Sequence, residues 1–363
     1  MSDLPIDPTS KATPLTTLVF DWGDTLMRDY PEYTGVMVDW PVVTALDGVQ
    51  AALDRLQGRY HMVVATNALE STSHQVAGAL RRVQLDAYFE AFYTFHELGE
   101  RKPQPGFYRA IERRAPWPAG GFVMIGDTYT TDILGAAHAG WRAVWYNPQQ
   151  QFCPGMLPYH DAEIDHFSQL PAALEHTPLP SLTLCYHWLA GQNASHLLLQ
   201  HVQTVAAIAY GLAVLLRRKD VGVDPILAHR GGLLHDLAKL SARRSMPGLD
   251  HGAAAAALLQ ARGLPDLAEI ANRHMLYCLV EPQRKPLTWE QKLVYLADKM
   301  VEGAQLVDPQ ARIRALQGRY PEEADQIAQT LPALEQLLQE LCERLSQTPT
   351  GLLDELKTIL TGR

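Results

Sequence analysis

The hydrophobic pattern of this chain changes near residue 172, and that change restricts the folds open to it. Before it, four short apolar runs alternate with amphipathic stretches, and the runs are TTLVF, HMVVAT, FVMIG and RAVWYN. Alternating strands and helices predict a parallel sheet covered by helices on both faces. After residue 185 strand-like runs disappear and helical periodicity takes over. We therefore predict an α/β domain followed by an all-α domain.

Composition places the domain boundaries. The 363 residues allow two domains of ordinary size. We predict a polar tail over residues 1–14, the α/β domain over 15–171, a linker over 172–184 and the helical domain over 185–363. The linker is favoured by the closely spaced Pro171, Pro178 and Pro180. In the helical half, Thr288 and Gln291 form a capping-box pattern ahead of an apolar helix.

Charge and cysteine content exclude several classes of protein. Residues 1–180 carry 12 Lys and Arg against 21 Asp and Glu, whereas residues 181–363 carry 19 of each. Neither half has the basic excess of a nucleic-acid or anionic-membrane binder. The longest apolar run, residues 205–216, is too short to span a bilayer, and the four dispersed cysteines suit a reducing compartment. We expect a cytoplasmic protein with no membrane partner.

Residues suited to phosphoryl transfer follow the ends of the predicted strands. In chain order they are Asp21, Thr66, Lys102, Asp127 and Asp132. The carboxyl ends of parallel strands meet at one edge of an open sheet, where such sheets bind ligands. There a carboxylate can attack phosphorus, a hydroxyl and an ammonium can hold phosphoryl oxygens, and further carboxylates can bind Mg²⁺.

These four motifs resemble those of the haloacid dehalogenase (HAD) superfamily of phosphatases, over residues 15–170. The resemblance implies a Rossmann-like domain in which Asp21 forms an aspartyl-phosphate and Thr66 and Lys102 bind phosphate. It also implies an Mg²⁺ ion held by Asp21, Asp127, Asp132 and the main-chain carbonyl of Gly23. Only 40 residues separate Leu26 from Thr66 and 36 separate Thr66 from Lys102, so we expect no large cap.

One position departs from the family pattern. HAD phosphatases usually carry a second aspartate, the general acid/base, where this chain has Gly23, and Asp24 follows one residue later. General acid/base catalysis typically contributes about 10²–10⁴-fold. We therefore expect a slow phosphatase, or one that uses Asp24 or a good leaving group. Phosphonate-cleaving and dehalogenating relatives also lack this aspartate, so those chemistries stay open.

A second set of candidate residues lies in the helical half. In chain order it contains His201, His235, Asp236, His251, His274 and Asp298. The gaps of 34, 15, 23 and 24 residues allow about one ligand per helix, pointing into a bundle core. A buried His-Asp pair within LLHDLAKL requires a compensating partner. Imidazole with carboxylate suits Fe, Mn, Co, Ni or Zn.

This pattern resembles the HD-domain metal-dependent phosphohydrolases over about residues 185–345. The resemblance implies one metal ion at His201, His235, Asp236 and Asp298. It implies a second ion, bridged through Asp236, at His251 and His274. Bacterial diadenosine tetraphosphate hydrolases share this arrangement, including the ADK triplet at Asp298. We expect Lys239, one helical turn beyond His235, to contact phosphate oxygens.

The combined prediction is a bifunctional metal-dependent phosphohydrolase acting on small phosphorylated metabolites, with nucleotides as the candidate class. In the main alternative, an HD enzyme carries a non-catalytic, ligand-binding HAD-like sensor. A third reading has the helical half cleave RNA ends or cyclic nucleotides, although its zero net charge counts against RNA. The sequence leaves the substrates, the transition metals and the oligomeric state open.

Overall fold

The computed structural model describes residues 14–117, 121–242, 246 and 248–361. Within these residues the chain packs as two compact units. The first contains the described residues up to Gln149 together with Tyr159–Pro178, and the second contains Gln150–Pro158 and the described residues from Leu179 onward. Nearly all of the predicted 1–14 tail lies outside the described residues.

The predicted linker over 172–184 is partly helical. One helix covers Leu170–Glu175 and the next begins at Leu182. Pro171 stands in the first turn of the earlier helix, where its missing N–H costs nothing, so this proline starts a helix instead of marking a linker. Ser181 begins the later helix, because its side chain accepts a hydrogen bond from the backbone of Leu184. The predicted domain boundaries otherwise stay a prediction.

The first unit is built on a six-stranded parallel sheet. Its strands are β1 (Thr17–Phe20), β2 (His61–Ala65), β3 (Ala91–Tyr93), β4 (Phe122–Gly126), β5 (Arg142–Tyr146) and β6 (Ala162–Ile164). Their order across the sheet is β3-β2-β1-β4-β5-β6, and every pairing is parallel. The central strands β1 and β4 are fully buried, which explains their continuous apolar runs. The predicted α/β fold is confirmed.

In the described part of this unit, six helices pack around the sheet. They are α1 (Val49–Leu56), α2 (Ser73–Arg82), α3 (Phe95–Leu98), α4 (Pro105–Arg114), α5 (Leu134–His138) and α6 (Leu170–Glu175). Helix α1 buries Val49, Ala52, Leu53 and Leu56, the spacing of one apolar stripe. Thr72 caps α2 through a reciprocal capping box with Gln75. The segment between β1 and α1 contains only one short 3₁₀ turn, Met37–Asp39, which agrees with the expected lack of a large cap.

The second unit is mostly helical. Its helices are α7 (Leu182–Gly191), α8 (His196–Arg217), α9 (Pro225–Leu234), α10 (His251–Gln260), α11 (Pro265–Asn272), α12 (Trp289–Lys299), α13 (Pro309–Arg319), α14 (Ala324–Leu345) and α15 (Pro349–Thr361). The capping box predicted at Thr288 and Gln291 starts α12. A two-stranded antiparallel hairpin, β7 (Val301–Glu302) with β8 (Gln305–Leu306), departs from the predicted all-α content. It lies in a polar turn too short to show a strand pattern.

Helix α8 is the longest apolar helix of the second unit. By length and composition alone it could cross a membrane, but 67% of its most apolar window is buried inside the protein. The four cysteines are buried free thiols. The cellular compartment stays a prediction.

Helices α8 and α9 approach closely at a glycine. A Cβ atom built on Gly232 would lie only 2.7 Å from the Cα of Ala206 in α8. Backbone atoms cannot move aside as the end of a flexible side chain can. Gly232 therefore sets how near α9, which leads into His235, comes to the helix that carries His201.

We predict that Gly232→Ala destabilises the protein. Overpacking a core typically costs about 1–3 kcal/mol, which outweighs the gain of about 1 kcal/mol in helix propensity. Gly318→Ala is the matched control, because Gly318 is also helical and a Cβ there meets nothing within 4 Å. We expect the control to be neutral or slightly stabilising in urea unfolding followed by circular dichroism. Equal unfolding midpoints for the two variants would contradict the close helix approach.

Candidate active sites

The sheet brings the first set of candidate residues to one edge. Asp21 directly follows β1, and its N–H donates to the carbonyl of Ile125 in β4 at 2.9 Å. Thr66 directly follows β2, and its N–H donates to the carbonyl of Tyr93 at 3.0 Å. Both backbones thus continue the sheet's hydrogen bonding, so each side chain leaves the carboxyl edge at a fixed position.

Lys102 is buried between two carboxylates. Its ammonium nitrogen lies 2.5 Å from Oδ1 of Asp21 and 2.6 Å from Oδ1 of Asp132. Burial favours the neutral amine, but the charges of Asp132 and Asp21 outweigh it and raise the pKa of Lys102. The lysine therefore stays charged, and Asp21 is held with one oxygen against it.

The side chain of Asn67 fixes the backbone of Lys102. Its Oδ1 accepts from the Lys102 N–H at 2.8 Å, and its Nδ2 donates to the Lys102 carbonyl at 3.0 Å. Sequence reasoning did not assign this role to Asn67, because the contact joins segments 35 residues apart. The two bonds link the end of β2 to the segment that carries the ammonium.

Three carboxylates gather at this point, and Lys102 pairs with two of them. Oxygen atoms of Asp21, Asp127 and Asp132 lie within 4.8 Å of one another. Burial, together with the charge of Asp21, raises the pKa of Asp127, and burial raises the pKa of Asp132 to about 7 despite the nearby Lys102. An excess of buried negative charge on oxygen ligands suits a hard divalent cation such as Mg²⁺.

The local backbone presents these carboxylates. Asp132 lies in a π-type turn, Tyr129–Ile133, and its Oδ2 accepts from the N–H of Thr128 at 3.0 Å. A Cβ atom on Gly126 would overlap the Asp132 carboxylate at 2.4 Å, so this position requires glycine. The hydroxyl of Thr25 donates to Oδ1 of Asp127 at 3.1 Å. Thr25 is a second positioning residue that sequence reasoning missed.

A cavity of about 470 Å³ opens beside Asp21. Predicted residues in its lining are Asp21, Gly23, Thr66, Lys102 and Asp132. Met37 and Trp40, from the segment between β1 and α1, form part of another wall. Asp24 is not among its lining residues in the described part of the chain; its carboxylate instead accepts from the N–H of Asp29 at 3.0 Å.

The surroundings of Gly23 permit a side chain. Its φ lies outside the left-handed region, and a Cβ there would contact only Oδ2 of Asp29, at 3.9 Å. Asp29 lines the cavity together with Gly23. A carboxylate therefore lies next to the position where the family's acid/base would project, but it comes from six residues further along the chain.

The second unit brings its six candidate residues into one buried cluster. These residues are His201, His235, Asp236, His251, His274 and Asp298, and five different segments supply them. Asp236 is 1% exposed and occupies the centre. Its Oδ1 lies 3.2 Å from Nε2 of His251 and 3.5 Å from Nε2 of His274.

The other oxygen of Asp236 faces the remaining histidines. Its Oδ2 lies 3.5 Å from Nε2 of His235 and 3.8 Å from Nε2 of His201. Asp298 completes this side, with Oδ1 3.1 Å from Nε2 of His201. Each Asp236 oxygen thus serves one histidine pair, the arrangement expected of a bridging ligand.

Backbone carbonyls orient three of the imidazole rings. The Nδ1 atoms of His201, His235 and His274 lie 3.0, 2.7 and 2.7 Å from the carbonyls of Gly303, Gly232 and Ala271. A carbonyl can only accept, so Nδ1 carries a proton and Nε2 is the ring nitrogen that faces the cluster and can bind a metal ion. The hairpin that sequence reasoning missed supplies Gly303.

Orphaned polar atoms show that this cluster fits metal ions. Among the described residues, Nε2 of His235 and Oδ1 of Asp236 are buried with no hydrogen-bond partner. Although burial acts in the opposite direction, the carboxylate of Asp236 raises the pKa of His235 to about 9, and His235 holds the pKa of Asp236 well below its usual range. Such atoms are costly unless a cation satisfies them.

Lys239 contacts the cluster, whereas its predicted contact with phosphate oxygens stays a prediction. Its ammonium pairs with Oδ2 of Asp236, and its side chain, 40% exposed, lines a cavity of about 280 Å³ next to the cluster. The guanidinium of Arg284 contacts the carboxylate of Asp250 at 2.7 Å. Because Asp250 caps the helix that begins at His251, this ion pair stabilises the start of that helix.

Comparison with family models gives two matches. The HAD-hydrolase-like model matches residues 100–148, which contain Lys102, Asp127 and Asp132. The HD-domain model matches residues 198–302, a range that contains all six residues of the second cluster.

Curated relatives and solved structures match over part of the chain. Human N-acylneuraminate-9-phosphatase is 30% identical over 140 residues, covering 37% of this chain and 53% of that protein. Pyrimidine 5'-nucleotidase PynA of Streptococcus pneumoniae is 34% identical over 105 residues, covering 28% of this chain and 43% of that protein. The solved structure of the HAD-hydrolase YfnB of Bacillus subtilis, bound to magnesium, is 19% identical. The match covers 45% of this chain and 100% of that chain, with a TM-score of 0.37.

The chain spans about half the length of these two curated relatives. The resemblances to the HAD and HD families are confirmed, whereas the one to diadenosine tetraphosphate hydrolases stays a prediction. Part of the N-terminal unit thus matches the HAD-hydrolase-like family, and part of the C-terminal unit matches the HD-domain family.

Proposed function

We propose that this protein is a bifunctional metal-dependent phosphohydrolase for small phosphorylated metabolites, with nucleotides as the candidate substrates. One observation in each unit carries the proposal: three carboxylates gather around one lysine in the first unit, and the second buries histidine and carboxylate atoms without hydrogen-bond partners, each beside a cavity that a lysine lines. The phosphatase and nucleotidase named above support a phosphate-ester substrate. Cavities of about 280 and 470 Å³ favour small molecules over RNA.

In the HAD-like unit, Asp21 acts as the nucleophile. One of its oxygens forms a bond to phosphorus while the bond from phosphorus to the leaving-group oxygen breaks, and water later hydrolyses the aspartyl-phosphate. Lys102 and Thr66 hold the phosphoryl oxygens. An Mg²⁺ ion, when held by Asp21, Asp127, Asp132 and the Gly23 carbonyl, neutralises charge on the phosphoryl group.

We assign the proton transfer in this unit to Asp29 in place of Asp24. The leaving oxygen must receive a proton when its alcohol is a poor leaving group, and the donor must reach the cavity. Asp29 lines the cavity beside Gly23, whereas the Asp24 carboxylate accepts a bond from the backbone of Asp29. The sensor alternative remains for this unit, since it lacks the family's usual acid/base at Gly23.

In the HD unit, the cluster around Asp236 performs the hydrolysis. Two transition-metal ions from among Fe, Mn, Co, Ni and Zn, when bound, supply nucleophile activation and charge neutralisation. His201, His235, Asp236 and Asp298 would hold one ion, and Asp236, His251 and His274 the other. The carbonyls behind three of the rings keep Nε2 pointed at the cluster. Lys239 contacts phosphate oxygens.

We expect Asp21→Asn and Asp236→Ala to separate two activities. Asp21→Asn removes the nucleophile with a nearly isosteric side chain, so Mg²⁺-dependent phosphate release should fall to background while hydrolysis by the HD unit continues. Asp236→Ala should have the reverse effect. Phosphate release from nucleotides, sugar phosphates and phosphonates, and halide release from 2-haloacids, each with and without chelator, measure both. An unchanged Mg²⁺-dependent phosphatase rate in Asp21→Asn would overturn the nucleophile assignment.

Metal content should follow the bridging geometry. Wild-type protein prepared without chelator should hold two transition-metal ions, Asp236→Ala and His235→Ala should each hold fewer, and His251→Ala should lose mainly one. His187→Ala is the control, because His187 is an exposed histidine on α7 outside the cluster. Elemental analysis that finds no transition metal in wild-type protein, before or after reconstitution, would refute the site.

Asp29→Asn should slow the first unit only on poor leaving groups. Given typical general-acid contributions, we expect a loss of about 10²-fold on alkyl phosphates and little change on p-nitrophenyl phosphate, which needs no proton. Asp24→Asn is the matched control and should leave both rates unchanged. Gly23→Asp introduced into Asp29→Asn should restore activity on alkyl phosphates. Equal losses on both substrates, or no rescue in a folded double variant, would exclude Asp29 as the acid.

A further inference from the structure

The cavity beside the Asp236 cluster has a second wall made by residues that follow the HD-domain match. The match ends at residue 302, whereas α13 and α14 begin at Pro309 and Ala324. From these helices and the turn between them, Arg312, Leu316, Arg319, Tyr320, Ile327 and Thr330 line the cavity. The substrate space next to the cluster is therefore shaped in part by this chain's own extension.

Arg312 is the best-buried cation of this wall. It is 8% exposed, and its Nε atom is buried with no hydrogen-bond partner among the described residues. Its Nη1 atom pairs with Oε2 of Glu302. An N–H donor buried beside a cavity and left unpaired is costly, and an anion entering the cavity would satisfy it.

Arg319 lies with Arg312 on the same helix and shares its partner. Nη2 of Arg319 pairs with Oε1 of Glu302, so one carboxylate holds two guanidinium groups. Glu302 is not among the cavity's lining residues in the described chain, whereas both arginines are. The carboxylate therefore holds the two cations without occupying the cavity.

The two lysines that line the cavity in the described chain are already paired with carboxylates. Lys239 pairs with Asp236 and Lys299 with Asp298, and Lys299 also donates to the carbonyl of His274 at 2.9 Å. Exposed Glu323 is the one further carboxylate of the lining. Two arginines sharing one carboxylate thus form the cationic part of the cavity that is least neutralised.

We infer that Arg312 and Arg319 form a binding subsite for a second phosphate of the substrate, distinct from the phosphate attacked at the Asp236 cluster. Guanidinium groups bind phosphate through charge-assisted and bidentate hydrogen bonds. Such a subsite selects phosphate anhydrides over monophosphates. This inference rests on the proposed function of the HD unit, but the subsite itself is built from residues outside the cluster.

The test measures binding to metal-free protein, so it does not depend on hydrolysis. Isothermal titration with adenosine α,β-methylene diphosphate, AMP and methylene diphosphonate compares a two-phosphate nucleotide, a one-phosphate nucleotide and a two-phosphate anion without a nucleoside. R312M should weaken binding of both two-phosphate probes by at least about 10-fold, the effect of losing a hydrogen bond to a charged group. Binding of AMP should change less than about two-fold.

Two further variants keep the test decisive. R319M removes a side chain that is 49% exposed, so this variant should fold even where R312M does not, and it should weaken the same two probes. R314M is the matched control, because Arg314 is exposed on the same helix and is not among the cavity's lining residues in the described chain. It should bind all three probes as wild type does.

The outcomes distinguish a failure of this inference from a failure of the proposed function. Equal weakening for AMP and the diphosphate probe, or no weakening in folded R312M and R319M, would overturn the subsite. Stronger binding of the nucleotide probe than of methylene diphosphonate would identify a nucleoside anhydride, and equal binding an inorganic one; both support the subsite. Reconstituted R312M should hold as much metal as wild type, whereas a lack of metal in reconstituted wild-type protein would count against the cluster assignment and not against the subsite.

Discussion

The buried carboxylate of Asp236 is the constraint on which the second unit depends. Removing a charge from water costs several kcal/mol unless partners compensate it. Both of its oxygens face histidines, and no single helix could provide these from one side. Helices α8 to α12 must therefore converge on this one group, and Gly232 allows α9 to approach α8 closely enough to do so.

The first unit compensates the charge of its buried carboxylates with a lysine. The Lys102 ammonium lies between Asp21 and Asp132, which keeps the nucleophile oriented, while Asp127 adds a carboxylate that the lysine does not balance. In both units the cluster carries more buried negative charge, or more unpaired donor atoms, than its own side chains neutralise. That imbalance is the physical reason why we propose metal-dependent chemistry for each.

Residues whose role is set by local pattern could be predicted from the sequence. The four longer strands appear as apolar runs, and the six histidine and aspartate residues are spaced at about one per helix. The sequence therefore predicts these strands and a set of side chains that the structure brings together. Strands β3 and β6 are only three residues long, too short to show a pattern. Asn67 contacts the backbone of Lys102 across 35 residues of sequence, and Pro171 begins a helix where the proline content indicated a linker. The roles that we propose for Asp29 and Arg312 depend likewise on cavities that only the folded chain forms.

The central claim is that one buried carboxylate bridges two metal ions. Anomalous diffraction from crystals of protein reconstituted with Mn²⁺ tests it most directly. We expect two peaks, one on each side of Asp236. The first should contact His201, His235 and Asp298, and the second His251 and His274. A single peak that does not contact Asp236 would contradict the bridging carboxylate. So would the absence of any peak at this cluster in crystals of protein that holds Mn²⁺.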